Sequence, residues 1–383
     1  MISSLPCRCF GPVTAIHIRR RLHRAASLCL GLGLGFSGSV YAQSTSPYFS
    51  IPADESPHNA TIEWWYYTGH LTGKDIFGVT HNYGFQVTDF RLGLGAYPLS
   101  SGYIGNFAIT DLNRGVHEND ARVSIQPDIL PPGGGYNIQI DDWNANARNG
   151  SGSMAAGMYT LHYQAQLNVQ PSSYGVVWHG NGGIMPPTTT GALNYYSFPS
   201  LSASGTVIDH GLVIPVTGTA WFDHEWGAAF SATTPTGWDW YAIELSDGRK
   251  FDVSVLKDAS GNTTQTYGTA IAADGSYSAI SPSDIDDQST GVSWTSPRSG
   301  LVYHTQQILK LPGGQVTVTA LIQDQEMATF AGLTGGVVQR LASTAGVPNT
   351  YYWEGDSTVS GAINGVPVTG KAYLELNPPQ ILP

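Results

Sequence analysis

Short runs in which apolar and polar residues alternate recur along the chain. Residues 159–167 alternate over nine positions, and residues 316–322 repeat the pattern. Turn sequences separate such runs: Asp247-Gly248, Pro312-Gly313-Gly314 and Asn364-Gly365. Short alternating strands between frequent turns are typical of β-sandwiches and β-barrels. Only residues 335–342 have a helical pattern, so the sequence predicts an all-β protein.

The chain also contains an internal repeat. Residues 216–223 (VTGTAWFD) match residues 368–375 (VTGKAYLE) at an offset of 152, and Trp64-x-x-Tyr67-x-x-x-Leu71 matches Trp238-x-x-Tyr241-x-x-x-Leu245 at an offset of 174. The second match would open each half and the first would close it. This order predicts a duplicated β-domain, with one half at residues 43–229 and the other at 230–383. The boundary falls in a stretch of small residues near 227–237.

The first 42 residues have the features of an export signal. Four arginines between positions 19 and 24 precede an apolar run at 25–36, and Val40-Tyr41-Ala42 provides a small-x-small cleavage pattern. The run is short for a bilayer span, which disfavours a membrane anchor as the alternative. All three cysteines lie in this segment, so a chain processed at Gln43 has no disulfide. We therefore expect a cleaved signal peptide and a secreted or periplasmic protein.

Removal of the leader makes the charge more negative. Five of the 17 basic residues lie in it, which leaves 12 basic against 28 acidic residues and a net charge of −16. Such a chain is not expected to bind nucleic acid or anionic membrane surfaces. No later stretch approaches 18 consecutive apolar residues, so no membrane span is expected after processing. The oligomeric state stays open.

Two segments combine aromatic rings with ionisable groups. They are Glu63-Trp64-Trp65-Tyr66-Tyr67, and Trp221-Phe222-Asp223-His224-Glu225-Trp226 followed by Trp238-Asp239-Trp240-Tyr241. Strand alternation places Glu63 opposite Trp64 and Tyr66, His224 opposite Asp223, and Trp240 opposite Asp239. One face of such strands could line a cavity for an apolar ligand. The alternative is that these residues have only a structural role. Tryptophans such as Trp65 and Trp221 more often pack in a core, and a cluster of two acids and a histidine is as readily structural as functional.

Several common catalytic machineries lack their motifs. Ser204-x-Gly has no leading glycine for a G-x-S-x-G elbow, and the position four after His224 is Ala228, which excludes a zinc-protease motif. The processed chain has no cysteine nucleophile, phosphate loop or dinucleotide fingerprint. Its nine histidines are scattered along the sequence, so no metal site is expected.

These strings resemble a known family. Pro57-His58 leading to residues 63–71 (EWWYYTGHL), and Gly218 leading to Asp223-His224-Glu225-Trp226-Gly227, are similar to signatures of the two-domain, lipocalin-like family of carotenoid hydratases and predicted secreted hydrolases. Residues 294–303, Gln325-Glu326 and 352–355 continue the similarity, so that it covers nearly all of the processed chain. The resemblance implies two tandem lipocalin-like β-barrel or sandwich domains and no cofactor.

The resemblance also implies hydration of an isolated carbon–carbon double bond. An acid would protonate the alkene, aromatic faces would stabilise the cation, and a base would take a proton from water. The expected acid is Asp239 or Asp223, with His224 as orienting partner or base, and Glu63 as a further ionisable candidate. The family uses an acid on the strand after Trp-x-Trp, where Asp252 is nearest, although the sequence does not show which way Asp252 faces. The expected substrate-binding residues are these: Trp64, Tyr66, Trp226, Trp240 and Tyr241.

Three functions therefore stay open. The first is a cofactor-independent hydratase or lyase acting on an apolar, terpenoid-like substrate. The second is an exported carrier of lipids or isoprenoids, and the third is a secreted hydrolase that uses a carboxylate-activated water.

Overall fold

The computed structural model describes residues 45–187, 192–228, 237–328 and 351–379. These residues form 23 strands and two single-turn 3-10 helices, Ala53–Glu55 and Pro282–Asp284, which confirms the all-β prediction. Nothing in these ranges is helical, long and apolar enough to cross a membrane. The leader and the helical pattern at 335–342 lie outside the described residues.

The strands of the first half form one antiparallel sheet. In chain order they are β1 (Ile62–Lys74), β2 (Thr80–Ala96), β3 (Ser100–Asp111), β4 (Val116–Gln126), β5 (Tyr136–Ile140), β6 (Trp143–Arg148), β7 (Ser151–Gly157), β8 (Tyr163–Pro171), β9 (Val177–Trp178), β10 (Leu193–Asp209) and β11 (Leu212–Gly227). The spatial order is β4-β3-β2-β1-β11-β10-β8-β7-β6-β5, and β9 pairs with β10. The two ends of this order approach one another, since the Gln126 amide on β4 donates to the Gln139 carbonyl on β5 at 2.6 Å. The sheet therefore curls into a near-barrel.

The second half repeats this arrangement. Its strands are β12 (Gly237–Leu245), β13 (Lys250–Lys257), β14 (Thr263–Ile271), β15 (Tyr277–Ala279), β16 (Asp286–Ser289), β17 (Trp294–Thr295), β18 (Val302–Tyr303), β19 (Gln306–Leu311), β20 (Gly314–Ala320), β21 (Glu326–Ala328), β22 (Tyr351–Ile363) and β23 (Val366–Asn377). Their order is β15-β14-β13-β12-β23-β22-β20-β19-β16, with β21 paired to β22 and β17 to β18. Two large antiparallel sheets of the same topology are consistent with tandem lipocalin-like domains.

The repeat extends to the strand register. In the first half β1 pairs with β11 and brings Trp64 opposite Glu225, while in the second β12 pairs with β23 and brings Trp238 opposite Asn377. The offsets of 174 and 152 carry Trp64 onto Trp238 and Glu225 onto Asn377. Opening and closing strands are therefore paired in the same register in both halves. The domain boundary at 229/230 stays a prediction, because residues 229–236 lie outside the described chain.

Alternation along the paired strands produces three packed layers. One face of β1 and β11 carries Trp65 and Phe222 into the core of the first half, and one face of β12 carries Tyr241 into the core of the second. The opposite faces pack against one another. Their apolar centre contains Tyr66, Val177, Trp221, Trp240, Ala242, Ile271 and Tyr373. We call this third layer the inter-sheet layer.

Two predicted strands have different limits in the structure. The alternating run at 159–167 becomes a strand only from Tyr163, because residues 159–162 form a turn in which Leu161 has a φ of 60°. The run at 316–322 ends as a strand at Ala320. The predicted turns Asp247-Gly248 and Asn364-Gly365 do connect β12 to β13 and β22 to β23.

Candidate functional site

Five carboxylic acids with raised pKa values lie in the inter-sheet layer. Asp223 and Glu225 on β11, Asp252 on β13 and Glu354 on β22 are each at most 9% exposed, and Glu375 on β23 is half-buried. Burial raises the pKa of all five, to about 7 for Asp252 and Glu375. Within the described ranges, none of them forms an ion pair with a basic side chain. A buried acid without a cation keeps its proton, so the layer holds several protons at neutral pH.

Asp252 reaches the layer because β13 alternates. Phe251, Val253 and Val255 pack into the core of the second half, and Asp252 points the other way with 1% of its surface exposed. Its Oδ2 accepts the Tyr195 hydroxyl at 2.6 Å and the Trp240 indole N–H at 3.2 Å. These two bonds lower the pKa of Asp252, but desolvation outweighs them.

Asp223 faces Asp252 across the layer. Its Oδ1 accepts the Trp221 indole N–H at 2.7 Å and the Ser197 hydroxyl. Oxygen atoms of the two carboxyl groups lie within 4.8 Å of one another, and the charge of Asp252 raises the pKa of Asp223 further. Two carboxyl groups this close in a dry layer do not both ionise, so the pair holds one proton over a wide range of pH.

A buried histidine extends this pair. His179 follows β9, stacks on the Tyr195 ring at 4.0 Å, and places Nε2 at 2.7 Å from Ser197 Oγ and Nδ1 at 2.8 Å from Thr269 Oγ1. Burial lowers the pKa of His179 to about 3, so the ring is neutral. Since Ser197 donates to Asp223, the network assigns the proton to Nε2 of His179 and leaves Nδ1 to accept from Thr269. Thr269, His179, Ser197 and Asp223 thus form one chain of hydrogen bonds.

This chain differs from the triad of a serine hydrolase. In a triad the histidine takes the serine proton and an acid orients the histidine. Here the Ser197 proton points to Asp223, and Thr269 occupies the position behind His179. The contact between Ser197 and His179 therefore does not activate Ser197 as a nucleophile.

Aromatic rings surround the acid pair. Trp240 meets the Tyr66 ring edge to face at 5.4 Å and the Trp221 ring at 6.4 Å. The Tyr66 hydroxyl donates to Glu354 Oε2 at 2.8 Å, and the Trp238 indole donates to Glu375 at 2.8 Å. Trp64 packs on the same apolar cluster. Of the residues predicted for substrate binding, Trp64, Tyr66 and Trp240 thus lie together beside Asp223 and Asp252.

The structure separates His224, Glu63 and Trp226 from this group. His224 points into the first half, where its Nε2 lies 2.9 Å from Glu63 Oε1 and its ring stacks on Trp65 at 4.7 Å. Glu63 also accepts from His58 at 2.7 Å, and Trp226 stacks on His58 at 4.1 Å. Neighbours on a strand face opposite ways, so His224 does not contact Asp223, the acid that it was expected to orient.

Asp239 and Tyr241 lie in the core of the second half for the same reason. Asp239 is paired with Lys257 and accepts from Gln307 at 3.3 Å. The Tyr241 hydroxyl donates to Asp287 at 3.3 Å. Neither belongs to the inter-sheet layer, although both neighbour Trp240 in the sequence.

Sequence reasoning did not single out His179, Ser197 or Thr269. They lie on or beside three different strands, and the similarity of Tyr195-Tyr196-Ser197 to the family strings assigned Ser197 no role. Only the pairing of β10 with β11 and of β13 with β14, which brings Ser197 opposite Asp223 and Thr269 opposite Asp252, shows that they share one site.

Three clusters have the donor types of a metal site. Among the described residues, the donor atoms of His179, Asp223 and Asp252 lie within 4.8 Å of one another, as do those of His58, Glu63 and His224 and those of Glu118, His162 and His210. The first set coincides with the acid pair. The expectation of no metal and no cofactor stays a prediction.

Comparison with known proteins establishes the family. A model of the AttH-like family matches residues 42–378. The chain belongs to the AttH-like family. This match confirms the resemblance that the Glu-Trp-Trp-Tyr-Tyr and Asp-His-Glu-Trp-Gly strings carry. A comparison with curated proteins gives no match.

Solved structures share the fold of this AttH-like protein. A protein from Nitrosomonas europaea, provisionally named AttH, has 25% sequence identity and a TM-score of 0.69, with coverage of 87% of this chain and 97% of its own. Kievitone hydratase from Nectria haematococca has 16% identity and a TM-score of 0.62, with coverage of 88% and 96%. At this identity the second likeness shows the fold alone.

Proposed function

We propose that this AttH-like protein is a hydratase that adds water to an isolated carbon–carbon double bond of an apolar, terpenoid-like substrate. The observation that carries the proposal is the Asp223–Asp252 pair, two buried carboxyl groups that hold one proton among tryptophan and tyrosine rings. Protonation of an alkene needs a desolvated acid, and the resulting cation needs an aromatic surface. A hydratase among the proteins of the same fold supports the choice of reaction.

In the proposed mechanism Asp223 is the acid and Asp252 the base. The alkene π electrons take the Asp223 proton at the less substituted carbon, which forms a C–H bond and leaves a tertiary cation beside Trp240 and Tyr66. The oxygen of a water molecule bonds to the cation, and ionised Asp252 accepts the proton that the water loses. Transfer of that proton from Asp252 to Asp223, whose oxygens lie within 4.8 Å, restores the starting state. No cofactor takes part in this scheme.

The test is incubation of the processed protein with geraniol, farnesol, squalene and lycopene in oxygen-18 water, followed by extraction and mass spectrometry. A product heavier by one labelled water supports hydration. Cleavage of an added ester, geranyl acetate, into two fragments, one carrying the label, would indicate a hydrolase instead, and ligands recovered unchanged would favour the carrier function.

Variants connect the chemistry to the acid pair. Asp223→Asn and Asp252→Asn should each lower the rate by about 10²- to 10⁴-fold, the usual contribution of a general acid or base. Asp239→Asn is the matched control, because Asp239 is a buried acid on the neighbouring strand that lies outside the layer. Full activity in either inter-sheet variant, with its fold intact by circular dichroism, would exclude this mechanism.

Export is part of the proposal. The arginines, the apolar run and the cleavage pattern of residues 1–42 support secretion to the periplasm or the medium. Determination of the N-terminal sequence of the protein recovered from outside the cytoplasm would test it, with Gln43 as the expected first residue.

A further inference from the structure

Duplication gives the inter-sheet layer two half-sites related by the repeat. The first half-site consists of Asp252, Tyr195, Ser197, His179 and Thr269. Asp252 lies between Ala242 of β12 and Thr269 of β14, and the equivalent position on β2 is Gln86, which lies between Thr68 of β1 and Ala108 of β3. Gln86 therefore corresponds to Asp252, and Ala108 to Thr269.

The remaining strands complete the correspondence. Ser197 pairs with Asp223 on the closing strand of the first half, and Glu354 pairs with Glu375 on the closing strand of the second. His179 donates its backbone N–H to Tyr195, and Met327 pairs with Tyr352. The second half-site thus consists of Gln86, Tyr352, Glu354, Met327 and Ala108.

The two half-sites differ in chemistry. Met327 and Ala108 take the places of His179 and Thr269. They pack with Tyr352 in a small apolar cluster. The acid of the pair is replaced by the amide of Gln86. The second half-site therefore lacks the groups for proton transfer that the first one has.

The second half-site keeps buried polar atoms that need a hydrogen-bond partner. Gln86 and Glu354 are fully buried, and among the described residues Gln86 Oε1 and Glu354 Oε1 have no hydrogen-bond partner. Their other polar atoms are used, since Glu354 Oε2 accepts from Tyr66 and the Gln86 amide N–H donates to Thr88. Thr68 Oγ1, on the strand position opposite Gln86, also has no hydrogen-bond partner within the described part of the chain. Buried polar atoms are rarely left unpaired, so a group from outside the protein is expected here.

We propose that the second half-site binds a hydroxyl group of the substrate. Gln86 Oε1 accepts a hydrogen bond from that hydroxyl, and the Glu354 carboxyl donates one to its oxygen. The edge-to-face pair of Tyr66 and Trp240, which are themselves equivalent in the repeat, lies between this subsite and the acid pair. This inference rests on the proposed hydratase function. It names the substrate class as an unsaturated apolar skeleton with a hydroxyl group remote from the double bond that is hydrated.

The experiment compares farnesol with the hydrocarbon in which hydrogen replaces its hydroxyl group. Both probes are titrated into Asp252→Asn protein, in which turnover is expected to be slow, and quenching of tryptophan fluorescence gives the two dissociation constants. Farnesol should bind about ten- to a hundredfold more tightly, the effect of two hydrogen bonds to buried polar groups. Glu354→Met and Gln86→Leu in the same background should each reduce this ratio towards one and leave hydrocarbon binding within about threefold.

Asp258→Asn, on the exposed turn between β13 and β14, is the control and should keep the ratio. Gln86→Leu decides the test if Glu354→Met does not fold. Equal binding of the two probes before mutation, or an unchanged ratio in a folded variant, would overturn the subsite. Neither result would affect the hydratase proposal, which depends on labelled product and on its loss in Asp223→Asn and Asp252→Asn.

Discussion

Protonation of the Asp223–Asp252 pair depends on a few donors that point at it. Desolvation raises the pKa of Asp252 to about 7, and the Tyr195 hydroxyl and Trp240 indole pull it down from a still higher value. The pKa of Asp223 lies well above its usual range, because burial and the charge of Asp252 act in the same direction. The state with one proton on the pair therefore becomes dominant as the pH rises through about 7.

This state should appear in the pH profile of the reaction. We expect kcat/KM to rise with pH through about 7, as Asp252 loses its proton, and to fall only at higher pH, where Asp223 ionises. Tyr195→Phe removes a bond that stabilises ionised Asp252, so the pKa of Asp252 rises and the acidic limb should move to higher pH. Rates measured from pH 5 to 9 test this shift.

Tyr352→Phe provides the comparison for Tyr195→Phe. Tyr352 is the equivalent of Tyr195 in the repeat, but it lies in the second half-site and does not bond Asp252. Its substitution should leave the midpoint of the acidic limb in place. An identical midpoint in all three proteins would show that Asp252 does not control the profile.

At the scale of residues, the sequence predicts which face of a strand a side chain occupies but not which residues of other strands it contacts. Period-two alternation correctly placed Trp64 and Tyr66 on one side of β1, and Asp223 opposite His224 on β11. It could not show that the face with Asp223, rather than the face with His224, meets the Trp240 side of β12. That choice is made by packing between the halves, which involves residues far apart in the chain.

At the scale of secondary-structure elements, the pairing of opening and closing strands positions the site. The closing strands β11 and β23 both carry the repeated V-T-G-x-A pattern, with Gly218 and Gly370 at its centre. A Cβ added at Gly218 would lie 1.9 Å from the His70 carbonyl oxygen, and one at Gly370 would lie 2.2 Å from that of Glu244. Both glycines therefore permit close contact between the closing strand and the opening strand.

Alanine at either position should destabilise the protein. The partner backbone must move to admit the methyl group, and we expect a loss of about 1–3 kcal/mol in the free energy of unfolding, typical of overpacking. Urea unfolding of Gly218→Ala and Gly370→Ala measures it. Gly102→Ala in β3 is the control, because its nearest neighbour, Leu92 Cβ, would be 3.8 Å from the new Cβ. Wild-type stability in both of the first two variants would contradict this account of the repeat.

Elements were predictable where local chemistry decides them. The Asn364-Gly365 pair has positive φ at both residues, as a tight hairpin turn requires, and the sequence showed it directly. The repeat strings revealed which strands open and close each half. The strand at 159–167 was predicted four residues too long, since alternation alone does not distinguish a strand from the turn that precedes it.

At the scale of the whole molecule, duplication explains why so many acids share one layer. Each half contributes the outer face of its opening and closing strands, so equivalent positions lie in the same layer, as Asp223 and Glu375 do. Packing these faces together removes water from all five carboxyl groups at once. The stability of the whole chain should therefore depend on their protonation.

The direction of this dependence follows from the raised pKa values. An acid whose pKa is raised in the folded state contributes stability that is complete below its unfolded pKa, near 4, and is lost as the pH rises through its folded pKa. Burial raises the pKa of Asp252 and Glu375 to about 7 and holds the pKa values of Asp223, Glu225 and Glu354 well above their usual range, so the layer retains protons that the unfolded chain has released. Each such proton lowers the free energy of unfolding by about 1.4 kcal/mol per pH unit.

We therefore expect stability to fall between pH 8 and 9, a range in which the histidines and carboxyl groups of the unfolded chain are already almost fully deprotonated. Urea unfolding at pH 8 and 9 measures the slope. Glu225→Gln removes one titrating group from the layer and should make the slope shallower by up to about 1.4 kcal/mol per pH unit, whereas Asp258→Asn, on the exposed turn between β13 and β14, should leave it unchanged. Stability that is constant or rises across this range would mean that the five acids are ionised in the folded protein, and an ionised layer could not supply the proton that hydration of an alkene requires.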